Sequence, residues 1–101
     1  AIEKAFDEVR KSLDSADEKK REDYIKRLFE KSKRELDVAY VYCSKKDAKF
    51  LKNMKTENMG LLGGIIAENN QRTIRVDCSF ETLLDSIKES EIQNINKILF
   101  G

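Results

Sequence analysis

The chain has 101 residues, of which 39% are charged and 40% hydrophobic, and its 20 basic side chains nearly balance its 19 acidic ones. This length favours one domain with a modest hydrophobic core. A formal charge of +1 lacks the basic excess that is typical of a nucleic-acid-binding module. No apolar run approaches the ~18 residues that a membrane span requires, and no signal-peptide pattern is found, so we expect a cytosolic protein.

The sequence shows no recognisable catalytic arrangement of residues. Histidine is absent, which removes the commonest general base and metal ligand. Residues 60–64 are rich in glycine but lack the Lys-Ser/Thr pair of a P-loop and the spacing of a dinucleotide-binding loop. Glu81 and Asp85 share a predicted helix face and could together hold a cation. The simpler interpretation is that both carboxylates are exposed, with Glu81 near the positive end of the helix dipole. We therefore predict no active site, no metal and no cofactor.

Three further reactive side chains also have structural interpretations. Cys43 and Cys78 show no metal-binding spacing, and we interpret both as reduced, buried, small apolar residues. They fall at the ends of predicted strands, but cytosolic redox conditions would keep them unpaired even as neighbours. Asp77 precedes a predicted helix, so we interpret it as a cap or a partner for Arg72 or Arg75 rather than as an acid catalyst.

The first two predicted elements are helices. Residues 1–14 show an amphipathic pattern without an N-terminal cap, which is typical of the end of a longer helix. Ser15, followed by Glu18 three residues later, forms a capping-box pattern that predicts a second helix over residues 16–35. The charged side chains of this helix are interpreted as a solvated face, supported by pairs such as Glu22 with Lys26, and a partner-binding face is the alternative.

The sequence pattern in the middle of the chain predicts β-strands. Residues 37–43 are apolar on both alternating faces, which predicts a central strand. Residues 61–78 predict a β-hairpin, because two strand-like runs flank the polar break 69–71, where asparagine tolerates the positive φ of a tight turn. The pair Gly63-Gly64 suits a bend or a close backbone approach. A helix between the first strand and the hairpin would permit one parallel strand pair.

A short third helix is predicted between the first strand and the hairpin. Ser44 is its expected N-cap, Asp47 its capping-box partner, and residues 45–55 its extent, followed by a polar connection over residues 56–60. Its side chains make it the most basic predicted element; the lysines are Lys45, Lys46, Lys49, Lys52 and Lys55. A solvated face is the simplest interpretation of these lysines. The alternative is a stand-alone α+β module that binds nucleic acid or an acidic protein surface through them.

Two more helices complete the predicted fold. Ser79 is a candidate N-cap for a helix over residues 80–90, and residues 91–100 predict a last helix with an apolar end that should be docked. We therefore predict the α+β class, with a small, mainly antiparallel sheet of three to four strands flanked by about five helices.

Several motifs together resemble the C-terminal region of the E subunit of archaeal (A-type) and vacuolar (V-type) rotary ATPases. They are the run Gly63-Gly64-Ile65-Ile66-Ala67-Glu68, the strand Thr73-Ile74-Arg75-Val76-Asp77, the helix start Ser79-Phe80-Glu81, the closing Lys97-Ile98-Leu99-Phe100-Gly101 and the opening run over residues 2–10. The resemblance covers the chain in order and is most specific over the last forty residues. The sequence departs from the family pattern at Cys78, where asparagine is usual, at Glu91, where a nearby proline is missing, and in a shortened segment after Asn53.

The resemblance implies a non-catalytic stator component at the cytoplasmic face of a membrane complex. Residues 1–14 would be the end of a peripheral-stalk helix, and residues 15–101 the C-terminal globular domain. The expected partners are a small helical stalk protein, the G or H subunit, and the nucleotide-binding B subunit. The complex would couple ATP synthesis or hydrolysis to the transport of protons or sodium ions. No direct nucleic-acid binding and no membrane insertion are implied.

Two groups of side chains are candidates for these contacts. The apolar residues at the two chain ends are assigned to the stalk side; they are Ile2, Phe6, Val9, Leu13, Ile95, Ile98, Leu99 and Phe100. Arg72, Arg75 and Glu81, on the hairpin and the helix after it, are assigned to the contact with the B subunit. The alternative interpretation is that the first group is ordinary core and the second is ordinary surface.

Overall fold

The computed structural model describes residues 17–86, together with Asp7 and Lys11. The described elements, in chain order, are helix α1 (Glu18–Glu35), strand β1 (Tyr40–Cys43), a 3-10 turn (Ala48–Phe50), strands β2 (Lys55–Asn58), β3 (Gly64–Glu68) and β4 (Arg75–Ser79), and helix α2 (Phe80–Ser86). The predicted helices over residues 1–14 and 91–100 lie outside the described residues, apart from Asp7 and Lys11. So do the eight apolar candidates at the chain ends.

The four strands form one mixed sheet in the order β2-β1-β3-β4. The β3–β4 hairpin is antiparallel and the central position of β1 is confirmed, because β1 pairs with β3 on one side and β2 on the other. The prediction of a mainly antiparallel sheet is wrong at β2, which runs parallel to β1. Sequence reasoning missed β2 because Lys-Thr-Glu-Asn is polar, and backbone pairing with β1 rather than side-chain burial defines it.

Helix α1 confirms the predicted second helix but starts later than predicted. Its N-cap is Asp17, whose carboxylate accepts a hydrogen bond of 2.8 Å from the backbone N–H of Lys20. The capping box based on Ser15 is therefore wrong. The predicted ion pair between Glu22 and Lys26 is present, at 3.7 Å.

The predicted third helix is wrong, because residues 45–55 form only a 3-10 turn before β2 begins. Asp47 provides the physical reason. This residue is 1% exposed, and its side chain accepts hydrogen bonds from Arg21 of α1, at 2.9 Å from Nη2, and from the Ser44 hydroxyl, at 3.0 Å. Asp47 therefore holds this connection against α1 and makes no cap hydrogen bond to the turn. The expectation of about five helices is not met, since the described residues contain two α-helices.

One hydrophobic cluster of the described residues lies between α1 and one face of the sheet. Ile25 of α1 packs with side chains of β1, β3 and the β1–β2 connection; these are Val41, Cys43, Leu51 and Ile65. Phe80, 2% exposed at the start of α2, stacks on Tyr24 of α1 with ring centroids 5.1 Å apart. Because side chains alternate along a strand, the residues between these core positions project from the opposite face.

The two cysteines are free, with Cys43 buried and Cys78 half-buried. Both pair in register with Ile65, from opposite sides, so one strand separates them. Two strand spacings amount to about 9.6 Å, which exceeds the Cα separation of ~7 Å that a disulfide can bridge. Burial, with the Asp47 charge nearby, raises the pKa of Cys43 to about 11.

The described part of the chain contains no helix with the length and apolar character needed to cross a membrane.

Candidate partner-binding surface

The connection between β3 and β4, residues 69–74, is held in shape by Asn69. Its side-chain oxygen accepts hydrogen bonds from the backbone N–H groups of Thr73, at 2.9 Å, and Ile74, at 3.0 Å. The expectation that an asparagine adopts positive φ here is wrong, because Arg72 does so instead, with φ of 58°. The six-residue loop uses the asparagine as an acceptor and turns the chain at Arg72.

Both predicted hairpin arginines meet a buried carboxylate. Glu68 is 4% exposed, and its Oε2 accepts hydrogen bonds from Arg75, at 3.2 Å from Nε and 3.0 Å from Nη2. Its Oε1 accepts a hydrogen bond of 2.7 Å from the Tyr42 hydroxyl, which in turn accepts one of 3.1 Å from Arg72. We call Tyr42, Glu68, Arg72 and Arg75 the hairpin network. It ties β1 and the two strands of the hairpin into one unit.

Tyrosine rings position the two guanidinium groups. The Arg72 guanidinium carbon lies 4.2 Å from the centroid of the Tyr40 ring, and that of Arg75 lies 5.1 Å from the Tyr42 centroid. The two arginine side chains are nevertheless 48% and 50% exposed. Arg72 also lies 3.6 Å from the exposed carboxylate of Glu57. Each guanidinium group is therefore held in place by a tyrosine ring and remains accessible to solvent.

The network sets the charge of its members. The hydrogen bond from Tyr42 lowers the pKa of Glu68 below its ordinary value of 4.5, with Arg75 reinforcing and burial opposing the effect. The same hydrogen bond raises the pKa of Tyr42. Hydrogen bonding and charge also raise the pKa of both arginines, which stay cationic. At neutral pH the network therefore carries two positive charges and one negative charge.

Because the folded pKa of Glu68 lies below the unfolded value, its stabilising contribution is present above the unfolded pKa and is lost as the pH falls through the folded pKa. We expect the thermal midpoint of the chain to fall as the pH is lowered below about 4.5. In the Glu68→Gln variant this decrease should be smaller. Glu57→Gln, at an exposed carboxylate, is the matched control and should keep the wild-type dependence. Identical pH profiles for Glu68→Gln and the wild type would contradict the assignment.

Glu81 lies away from the two arginines. It follows the far end of β4, and the strand from Arg75 to Ser79 spans about 13 Å at about 3.3 Å per residue. Glu81 is half-buried rather than exposed as expected, because its Oε2 accepts a hydrogen bond of 3.0 Å from the backbone N–H of Leu62. Its other oxygen is buried and has no hydrogen-bond partner among the described residues. The structure thus unites Arg72 with Arg75 and places Glu81 elsewhere.

The interpretation of Ser79 as the N-cap of α2 is confirmed, whereas Asp77 acts on the cap residue rather than on the backbone of the helix. Asp77 accepts hydrogen bonds from Ser79, at 2.9 Å from the backbone N–H and 2.6 Å from the hydroxyl. The Ser79 hydroxyl accepts a hydrogen bond of 3.3 Å from the backbone N–H of Thr82 in the first turn of α2. Although burial opposes it, the hydrogen bonds from Ser79 lower the pKa of Asp77.

Sequence reasoning did not single out Tyr42 or Glu68, and it gave the asparagines of the break 69–71 a turn role without the acceptor role of Asn69. One usable signal was the opposite charge of Glu68 and Arg75, which pair directly across the hairpin. The contribution of Tyr42 depends on the β1–β3 pairing, and no local pattern indicates it. Within the described ranges, no cluster of three potential metal-ligating side chains is found.

The lysines of residues 45–55 do not share a helix face. Lys49 pairs with Glu18 of α1, and Lys55 belongs to β2. The basic helical surface on which the nucleic-acid alternative depended is therefore missing.

Comparison with known proteins gives a consistent result. The model of the ATP synthase (E/31 kDa) subunit family matches residues 1–100. The E subunit of the A-type ATP synthase of Methanosarcina mazei is 27% identical over 104 residues, which cover 99% of this chain and 56% of that protein. The corresponding protein of Methanothrix thermoacetophila is 33% identical over 85 residues, covering 81% of this chain and 46% of that protein. The chain spans about half the length of the curated relatives it matches.

Proposed function

Because the chain belongs to the ATP synthase (E/31 kDa) subunit family, we propose that it is the C-terminal part of a peripheral-stalk E subunit in an A-type or V-type rotary ATPase. It anchors the stalk to the nucleotide-binding head and contributes no catalytic group. It belongs to the part of the complex at the cytoplasmic face of the membrane. The complex couples ATP synthesis or hydrolysis to the transport of protons or sodium ions. The family match over residues 1–100 is the observation that carries this proposal.

The described architecture suits a part that must resist torque. Helix α1 packs on a four-stranded sheet, and the buried Arg21–Asp47 pair joins α1 to the β1–β2 connection. On the opposite face, the hairpin network joins β1 to the hairpin. Such cross-connections restrict movement of the strands relative to one another and to α1. A stator domain needs this stiffness, because the head changes shape while the stalk holds it.

We propose two contact regions. The hairpin surface with Arg72 and Arg75 faces the B subunit, and Glu81 extends this contact at the other end of β4. The apolar residues of the two chain ends face the small helical stalk protein, the G or H subunit; they are Ile2, Phe6, Val9, Leu13, Ile95, Ile98, Leu99 and Phe100. The half-exposed guanidinium groups support the first assignment.

A pulldown tests the proposal. The full-length protein, in complex with its small helical partner, is offered to the immobilised B subunit. We expect binding by the wild type and loss of binding by a double charge reversal, Arg72→Glu with Arg75→Glu. Arg34→Glu, an exposed reversal in the last turn of α1, is the matched control and should bind normally.

The reversals need a check of folding, because both arginines neutralise the buried Glu68. Circular dichroism melting supplies it, and Arg72→Gln with Arg75→Gln is a milder second variant. Binding that survives in both variants would keep the stator function and move the contact elsewhere. Absence of wild-type binding, together with salt-sensitive binding of RNA or DNA, would contradict the proposed function.

A further inference from the structure

The tip of the hairpin, residues 69–74, presents an apolar side chain beside two cations. Of the large hydrophobic side chains that the structure describes, Ile74 alone is exposed, at 52%. Arg72 and Arg75 flank it in the chain, and each is about half exposed. Arginine is enriched in protein interfaces, where an apolar centre is commonly surrounded by a polar rim.

The tip is rigid before any partner arrives. Asn69 is 8% exposed, and its side chain joins Thr73 and Ile74 through their backbone N–H groups. Its backbone N–H also donates a hydrogen bond of 3.1 Å to the Ile74 carbonyl. Ile74 is thus held at both its backbone groups. A loop fixed in this way loses little conformational freedom on binding, which favours affinity.

The backbone conformation of Arg72 is further evidence that the tip is rigid. A left-handed φ of 58° is unfavourable for a residue with a side chain and persists where surrounding contacts hold it. Those contacts are the Tyr40 ring, 4.2 Å from the guanidinium carbon, and the Tyr42 hydroxyl, 3.1 Å from Nη1. The network therefore fixes the loop from its second side.

We propose that the hairpin tip is a docking element, in which Ile74 enters an apolar pocket of a partner protein while Arg72 and Arg75 pair with carboxylates at the rim of that pocket. This inference rests on the proposed function, in which the partner is the B subunit. The exposure of the two cations supports an acidic rim, because both guanidinium groups stay about half exposed although Glu68 lies beneath them and Glu57 lies 3.6 Å from Arg72. Carboxylates on the partner would pair with the exposed parts of the two guanidinium groups.

Other occupants fit the tip less well. A second copy of the chain, docked tip to tip, would bring arginines against arginines at close range. A single-stranded nucleic acid would require free aromatic faces for base stacking, whereas the rings of Tyr40 and Tyr42 are covered by the arginines. An apolar pocket with an acidic rim satisfies both the isoleucine and the two cations.

The test is an affinity titration of the B subunit with the complex of the full-length protein and its small helical partner. Ile74→Ser should weaken binding by about 10- to 30-fold, as loss of an interface anchor does. The matched control Ile74→Val keeps most of the apolar surface and should stay within about threefold of the wild type. Because Ile74 is exposed, neither change should shift the melting midpoint of the free chain appreciably.

Each other outcome overturns the inference in a recognisable way. Equal affinities of Ile74→Ser and the wild type would remove the tip from the contact and leave the stator function standing. Failure of the wild type to bind the B subunit would overturn both proposals together. A third outcome is that Ile74→Ser leaves the affinity for the B subunit unchanged but abolishes another interaction. Loss of self-association in sedimentation would identify a second copy of the chain as the partner of the tip. Loss of binding to anionic phosphatidylserine vesicles would identify a membrane surface.

Discussion

Replacing Gly64 by alanine is expected to lower the free energy of unfolding by about 3–5 kcal/mol, which is exceptional for a single methyl group. Gly64 begins β3 opposite Ser79, with φ of +80°. A Cβ atom there would lie 2.3 Å from the backbone oxygen of Cys78 and 3.0 Å from the Cα of Ser79. Since backbone atoms cannot turn aside as a side chain can, β3 and β4 would have to separate. Urea denaturation followed by circular dichroism measures the loss.

Gly60→Ala is the matched control for this prediction. A Cβ atom at Gly60 meets no atom within 4 Å, and the residue is exposed. Its substitution should change the free energy of unfolding by less than about 0.5 kcal/mol. A Gly64→Ala variant as stable as Gly60→Ala would mean that β3 and β4 do not approach each other as described.

Removing the charge of Arg21 by the substitution Arg21→Met is expected to cost about 3 kcal/mol of stability. Its partner Asp47 is 1% exposed, and Nε and Nη2 of Arg21 lie 3.2 and 2.9 Å from the same carboxylate oxygen. Methionine keeps much of the packing volume but carries no charge. The carboxylate of Asp47 then remains buried and keeps its hydrogen bond from the Ser44 hydroxyl. An uncompensated buried charge is the physical cause of the loss, which denaturant unfolding measures.

The ion pair between Lys49 and Glu18 provides the comparison. Its side chains are 51% and 76% exposed, so solvent screens the attraction. Lys49→Met should therefore cost no more than about 1 kcal/mol. Similar losses for Arg21→Met and Lys49→Met would argue against a buried Arg21–Asp47 pair.

The parts of the fold that sequence reasoning found are those with a local pattern. Helix α1 has helical periodicity, β1 is apolar on both faces, and the hairpin alternates on both sides of a polar break. The Gly63-Gly64 pair was also interpreted correctly as a close approach, since a Cβ atom at Gly63 would overlap the Phe80 ring. Each of these signals lies within a few residues of the structure that it predicts.

The errors fall where distant residues decide the local structure. Ser44 and Asp47 form a capping pattern, but Arg21, 26 residues before Asp47, takes up the carboxylate and the helix is replaced by a 3-10 turn. Strand β2 exists because β1 offers a pairing edge, and its own residues carry little strand preference. The local sequence pattern around Asp47 or β2 contains no information on these distant partners, Arg21 and β1.

The candidate surface was found in part for the same reason. Arg72 and Arg75 stood out by charge on a predicted hairpin, whereas Glu68 and Tyr42, which hold them, come together only in the sheet. Glu81 was grouped with them because the sequence places it close, but it follows the far end of strand β4, which spans about 13 Å from Arg75 to Ser79. Ile74 gave no signal, since its exposure depends on how Asn69 closes the loop.

Hydrogen exchange of the full-length chain with its small helical partner, measured free and bound to the B subunit, shows whether the hairpin holds the head. We expect slower amide exchange on binding in residues 68–75, centred on the hairpin tip. Slower exchange confined to residues 45–55, or no change anywhere in the chain, would contradict a stator domain that holds the head through its hairpin.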